Sequence, residues 1–395
     1  MKKVGLFIDV EYGTGGTFQY NQQILTALTK LPRDRYEVIA FYVDKSWLKI
    51  LPAEIESIKI SYHSSVRAFL KFLFGLGLPF QVMKFLYSLT FINSLRNYDC
   101  DLVIFPSQDL AGVFISDRSV NVVHDLMHRY ESRFKESAGW GRMRFRERLF
   151  NSIAQYSTIV LVDSKVGKDQ FLESYGSKPE KIEMLPYVAP QHIVNYQDSE
   201  HKDYFDQLNL PSKFIFYPAQ FWPHKNHQIL LDALIQLKME IPDVQILFTG
   251  PKKFEYKNLF NFCLENSLLS HVTFLDYVPN EVLGGFYIRA RAMIMPTYYG
   301  PTNIPPLEAI ALQCPVAVSN IYGMPEQLGD AAIYFDNTNV DEVTSCIKRL
   351  WNDSELCDDL KQSSKEHFEH WNQNHLNMTL CAIIDRFFSK VATPK

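Results

Sequence analysis

Short apolar runs of strand type recur along this chain, each followed by a longer stretch of helical character. In the first half they are Val4 to Val10, Val38 to Val43, Leu102 to Phe105, Val120 to Val123 and Ile159 to Val162. A run without polar alternation suits a strand buried on both faces, and such strands form parallel sheets joined by crossover helices. Phe214 to Tyr217, Gln245 to Phe248, Val272 to Leu275 and Ala292 to Met295 repeat the pattern later in the chain. Between the two sets, the polar stretch Gln191 to Asn209 breaks the periodicity and reads as a linker. With 395 residues and 47% hydrophobic content the chain can build two substantial cores. The expected class is therefore α/β, with one domain over 1–190, a linker over 191–209 and a second domain over 210–375.

A net charge of -4 provides no global basic field, which argues against a nucleic-acid partner. The six cysteines are scattered, without Cys-x-x-Cys pairs or nearby histidines at ligand spacing. That pattern fits a reducing compartment without structural zinc. Met1-Lys2-Lys3 leads straight into a strand that contains Asp9, so no signal-peptide apolar region is apparent and a cytoplasmic location is expected. Asp99-Cys100-Asp101 has the spacing of a metal-binding acidic pair, but it directly precedes the strand at Leu102 and reads better as an edge cap.

Chemistry concentrates in Gly300-Pro301-Thr302-Asn303-Ile304-Pro305-Pro306-Leu307-Glu308. Pro296 stops the preceding strand, Asn303 suits an N-cap, and two prolines suit a first helical turn in a helix from about Pro305 to Gln313. Free N–H groups and the positive dipole end of such a helix would hold a diphosphate. Glu308, one turn in, would accept hydrogen bonds from ribose hydroxyls. A proline-capped packing helix with a solvated glutamate satisfies the same spacing. Gly13, Gly15 and Gly16 form a turn after the first strand that permits close backbone approach, although the spacing is not that of a dinucleotide motif. His124-Asp125 ends a strand at the carboxyl edge, where open parallel sheets bind ligands. Asp125 could hold the His124 tautomer or contact an acceptor.

Phe69 to Tyr87 is the most apolar region, yet Lys71, Gly75, Gly77, Pro79 and Lys84 interrupt it, so it does not span a bilayer. It reads either as a buried helix pair or as an apolar surface that meets a bilayer or a lipid-linked acceptor. The segment from Arg129 to Arg148 carries seven basic residues with Trp140 and Phe145 among them. It suits an anionic membrane surface or a pyrophosphate-bearing acceptor, and equally a solvated helix.

Several of these stretches together resemble the family 4 retaining glycosyltransferases of GT-B architecture, of the kind that builds bacterial cell-surface polysaccharide. The similarity rests on Gly15-Gly16, His124-Asp125, Gln220-Phe221-Trp222-Pro223-His224-Lys225, Val272 to Pro279, and Gly300 to Glu308. The resemblance implies two Rossmann-like domains facing each other across a cleft, with a terminal helix over 376–395 packed back on the first. It implies transfer of a hexose, with retention and without metal or cofactor, from a GDP- or UDP-linked donor to a saccharide or lipid-linked saccharide. On the matching positions, His124, Lys225 and Glu308 would be catalytic. Gly15, Gly16, Gln220, Thr302, Asn303 and Ile304 would hold the donor phosphates and sugar. Tyr277 and Val278, with Glu308, would receive the nucleoside. Five positions depart from the family: Gly300 replaces a glutamate, Gln220 an arginine, and Thr302-Asn303-Ile304 a Phe-Gly-Leu. Those departures also admit a non-catalytic sugar-nucleotide binder or partner subunit, or an epimerase or hydrolase on the same architecture.

Overall fold

The computed structural model describes residues 1–13, 15–61, 64–115 and 118–392. They form two compact units, Met1–Tyr187 together with Gln373–Lys395, and Val188–Asn372.

In the first unit, β1 (Lys2–Ile8), β2 (Tyr36–Tyr42), β3 (Glu56–Lys59), β4 (Leu102–Phe105), β5 (Ser119–Val123), β6 (Ile159–Val162) and β7 (Ile182–Met184) form one sheet ordered β3-β2-β1-β4-β5-β6-β7. Every pairing in it is parallel. The inner strands β4, β5 and β6 are buried along their whole length, which is why they read as unbroken apolar runs. β3 lies at the edge with two exposed charged residues, Glu56 and Lys59, and carries no such signal. The Gln373–Ala392 helix belongs to this unit: Gln373 Nε2 donates to Gln23 O at 3.1 Å, and Arg35 pairs with Asp385 at 3.2 Å.

The Ser64–Leu76 and Phe80–Ser88 helices pack one face each into the core, through Leu70, Phe74, Met83 and Tyr87. The Trp140–Tyr156 helix lies against the first of them, with Phe145 on Phe74 at 5.7 Å between ring centroids. Four arginines of the basic segment have specific partners, at the surface for Arg129 and Arg133 and half-buried for Arg146 and Arg148. Arg129 binds Glu147, Arg133 binds Glu131, Arg146 binds Asp125, and Arg148 donates to the carbonyls of Phe74 and Leu78. Of the arginines on that helix, Arg142 and Arg144 are exposed and Arg146 and Arg148 half-buried.

The second unit holds β8 (Ile215–Pro218), β9 (Ile246–Thr249), β10 (Val272–Leu275), β11 (Ala292–Met295), β12 (Val316–Ser319) and β13 (Ala332–Phe335), ordered β10-β9-β8-β11-β12-β13 and again wholly parallel in its pairings. Residues 191–209, read above as a linker, instead carry short helical pieces over Gln191–Val194, Asp198–His201 and Lys202–Asp206, and lie within this unit. A few apolar anchors hold this polar stretch down. Phe205 is buried against Phe286 at 5.0 Å, and Arg289 binds Asp198 at 2.5 Å.

The Asn280–Arg289 helix carries Gly284-Gly285 because those rings approach its backbone too closely for a side chain. A Cβ on Gly284 would lie 2.5 Å from the Tyr196 ring, and one on Gly285 would lie 2.3 Å from Phe205 Cζ. Gly285→Ala is therefore expected to destabilise by about 1–3 kcal/mol through overpacking, although alanine is the better helix former. Denaturant unfolding checks this, and Phe205→Leu in the same chain should recover part of the loss. A more stable Gly285→Ala protein would show that 191–209 is not held as described.

Candidate active site

His124 stands just after β5, in the first unit. Its Nε2 lies 2.8 Å from Pro106 O, and because a carbonyl only accepts, Nε2 carries the proton. Nδ1 then accepts from the Tyr187 hydroxyl at 2.6 Å. Burial lowers the imidazole to about 4, so it is neutral near pH 7. Both ring nitrogens are thus committed within the unit, and His124 has none to offer a sugar unless one of these bonds opens. Asp125 does not set the tautomer either. Its carboxylate accepts from Arg146 Nη2 at 2.6 Å and from Met127 N–H at 2.9 Å.

Gly15 and Gly16 open the Gly15–Leu28 helix, and Gly15 sits at φ +63, where glycine is favoured. Tyr20 of that helix meets His124 edge-on at 5.2 Å, so the glycine turn and the strand end are fastened within one unit. The acidic pair behaves as an edge cap. Asp101 accepts from Lys3 N–H at 2.8 Å and Asp99 binds Arg118 at 2.7 Å, at the amino end of β4. No group of three or more His, Cys, Asp or Glu suited to a metal ion occurs among the described residues.

All other candidates belong to the second unit. Two loops at its carboxyl edge, after β8 and after β11, are laced together. His224 O accepts from Tyr298 N–H at 2.8 Å and from Thr297 Oγ1 at 3.1 Å, and the His224 and Tyr299 rings stack at 3.9 Å. Asn226 adopts φ +55 and donates to Asn337 O at 2.8 Å, while Asn337 donates to Thr297 O at 2.8 Å. Lys225 sits inside this lacing, its own carbonyl accepting from the Tyr217 hydroxyl at 2.8 Å. Its ammonium makes no ion pair among the described residues, and burial lowers it to about 8. A half-buried cation without a counter-charge costs free energy in the empty protein, and an anion beside it would repay that cost.

The helix after the second loop is Ile304–Ala311, with Asn303 at its N-cap position. Asn303 does not cap. Its Nδ2 turns back to Tyr299 O at 2.9 Å, and its N–H is taken by Gln327 Oε1 at 3.0 Å. Pro305 and Pro306 remove two more donors, which leaves the Ile304 N–H and the helix dipole as the anion-facing features of this turn. Thr302 is buried. Glu308 is only 3% exposed, and its Oε2 accepts from the Tyr287 hydroxyl at 2.7 Å, so it is no solvated glutamate. Tyr287 shows no motif that would announce this partnership.

Gln220 offers its Oε1 to the Trp222 indole N–H at 3.0 Å, and that indole stacks on Phe254 at 3.3 Å between centroids. Lys252 and Lys253, after β9, are exposed. Tyr277 is 59% exposed, but its N–H is taken by Asp276 Oδ1 at 2.8 Å, and Val278 is buried. Of that pair only the Tyr277 side chain is well presented for a ligand.

Residues 200–367, nearly the whole second unit, match the family model described as glycosyl transferases group 1. The chain carries a group 1 glycosyltransferase domain. A curated relative, the O-antigen chain mannosyltransferase B of Escherichia coli, is 22% identical over 340 residues, covering 86% of this chain and 87% of that protein. The fold is that of the GT-B glycosyltransferases. Sucrose-phosphate synthase from Thermosynechococcus elongatus superposes with a TM-score of 0.76 over 99% of this chain and 100% of that one, at 17% identity. The Anabaena HepE protein in complex with UDP-glucose gives 0.72, covering 97% and 99%, at 16% identity.

Gly300, where the resemblance implies a glutamate, leaves little room for a side chain. Its φ is +91, and a Cβ there would lie 2.7 Å from Thr302 O and 2.9 Å from Asn303 Nδ2. Gly300→Glu, the residue the resemblance implies, should lower both the melting temperature and glycosyl transfer, because left-handed backbone costs a side-chain-bearing residue about 1–2 kcal/mol before the clash is counted. Thermal unfolding and turnover measured side by side test this. A folded variant with raised turnover would show that the turn tolerates the side chain.

Proposed function

We propose that this glycosyltransferase is a retaining, metal-independent hexosyltransferase that moves a hexose from a GDP- or UDP-linked donor to a saccharide or lipid-linked saccharide in cell-surface polysaccharide synthesis. The observation that carries the reading is Lys225, on the loop after β8 at the carboxyl edge of the second sheet, whose carbonyl is held by the Tyr217 hydroxyl and whose ammonium is buried without an ion pair among the described residues. As the glycosidic bond breaks, negative charge grows on the leaving diphosphate, and a fixed cation favours that state over the ground state. The Ile304 N–H and the helix dipole would add a smaller contribution. Likeness to an O-antigen mannosyltransferase over most of both chains supports mannose as the hexose and a growing surface glycan as the acceptor. The HepE complex supports a nucleotide sugar as the donor class. The enzyme would work in the cytoplasm, in peripheral contact with an anionic membrane that carries the acceptor. No described helix is long and apolar enough to cross a membrane.

Retention follows in this reading from attack on the face that the leaving group vacates, with a phosphate oxygen accepting the proton of the acceptor hydroxyl. No side chain needs to act as nucleophile. Glu308 would accept from the ribose while Tyr287 keeps its carboxylate oriented. His124 serves position rather than chemistry, as a neutral strut between Pro106 and Tyr187.

The experiment is transfer from GDP-mannose and UDP-hexoses to saccharide acceptors as a function of pH. Because Lys225 loses its charge as pH rises through about 8, kcat/KM for the donor should be level below that pH and fall tenfold per unit above it. Lys225→Arg, charged throughout this range, should remove that limb. Lys225→Ala should lower kcat by about a hundredfold, the size of one lost oxyanion-type donor, with a smaller change in KM. A rise in KM alone would make Lys225 a binding residue. No transfer with any donor, despite tight donor binding, would favour a partner subunit.

Glu308→Gln should weaken donor binding and turnover by about tenfold to a hundredfold, since hydrogen bonds to a charged group contribute roughly 1.5–3 kcal/mol. Glutamine still offers the Tyr287 hydroxyl an acceptor, so the fold should persist. Unchanged donor affinity in the folded variant would remove Glu308 from the site.

A further inference from the structure

Residues 57–98 contain no aspartate or glutamate, although the chain has 44 acids in 395 residues, and they hold Lys59, Arg67, Lys71, Lys84 and Arg96. Within this run lie the Ser64–Leu76 and Phe80–Ser88 helices. Their inner faces fill the core, as described, yet their outer faces are apolar too. Phe69 is 58% exposed, Phe72 60%, Leu76 53%, Phe85 63% and Leu89 68%, with Val66 and Val82 beside them. Single exposed apolar residues are ordinary, but here they recur at three- and four-residue spacing and so form one outward apolar face on each of two consecutive helices.

Basic groups border these faces. Lys84 lies on the second helix. At the end of the first helix Arg144 Nη2 donates to Leu76 O at 3.4 Å, and Arg142 is exposed two residues earlier, in the first turn of the packed Trp140–Tyr156 helix. Neither apolar helix is long enough to span hydrocarbon. Apolar outer faces rimmed by cations are the makeup of elements that lie in a membrane interface. A second copy of the chain is a poor occupant, because a two-fold contact would set the basic groups bordering these helices, which themselves carry no acid, against their own copies.

We propose that the outer face of these two helices docks the enzyme on an anionic bilayer, with Phe69, Phe72, Leu76, Phe85 and Leu89 entering the headgroup boundary and Lys84, Arg142 and Arg144 meeting lipid phosphates. The proposal deepens the lipid-linked acceptor reading and rests on it for purpose, whereas the binding itself requires no substrate. It also moves the contact away from Arg129, Arg133, Arg146 and Arg148, which are engaged within the protein.

Sedimentation of the full chain with vesicles of phosphatidylcholine alone, and of equimolar phosphatidylcholine and phosphatidylglycerol, at low and high salt, tests it. Pelleting with the anionic vesicles, weakened by salt, is expected. Replacing Lys84, Arg142 and Arg144 together by Ser should weaken partition by roughly a hundredfold. Phe72→Glu with Phe85→Glu should abolish it, and both residues are exposed enough that melting temperature should hold. Absence of pelleting, or equal pelleting of wild type and both variants, overturns the proposal. So does a wild-type dimer that Phe72→Glu with Phe85→Glu dissolves without any vesicle binding. Transfer to a soluble saccharide, measured without vesicles, reports separately on the glycosyltransfer reading.

Discussion

A parallel strand cannot be reached from its neighbour by a hairpin, so each sheet here is threaded by crossovers that cover its inner strands on both sides. The carboxyl ends of the strands must then gather along one edge. In the second unit this edge collects the loops after β8, β9, β10 and β11, and with them Lys225, Lys252, Tyr277 and Gly300, which lie far apart in the chain. In the first unit it collects the glycine turn after β1 and His124 after β5. Placement of the candidate groups is thus a consequence of topology before any side chain is chosen.

What the loops then do depends on how their backbone is held. Gly300 at positive φ lets the chain double back tightly enough for Asn303 to bond Tyr299 O, and that contact is bought with the N-cap that Asn303 would otherwise provide. Together with two prolines, this strips the helix start of most of its N–H donors. A diphosphate in this enzyme would therefore depend more on the point charge of Lys225 than a site built from several backbone donors would, which is why the pH limb of Lys225 is diagnostic.

The inner strands were legible in the sequence because burial on both faces leaves an unbroken apolar signature, as in Leu102 to Phe105 and Ile159 to Val162. Edge strand β3, two of whose four residues are charged, was not. The helix of Glu308 was legible from its prolines, but the direction of the Asn303 side chain and the burial of Glu308 against Tyr287 were not. Both are decided by residues more than twenty positions away or by a neighbour across the turn. Likewise a row of arginines from Arg129 to Arg148 says nothing about where each guanidinium ends. Arg146 finds Asp125 and Arg148 the carbonyls at the end of a helix, and only the packed structure separates these from Arg142 and Arg144.

That sorting of arginines bears on how the first unit is built. The Ser64–Leu76 helix ends at carbonyls that Arg144 and Arg148 satisfy, and cations at a helix C-terminus are favoured by its dipole as well as by the hydrogen bonds. Arg148 also lies over the Phe74 ring at 4.3 Å, so its charge is held against an aromatic face on the core side of the helix. One short segment thereby meets two requirements. Its half-buried Arg148 fixes the helix whose outer face is apolar, and its exposed Arg144 brings positive charge to the end of that helix.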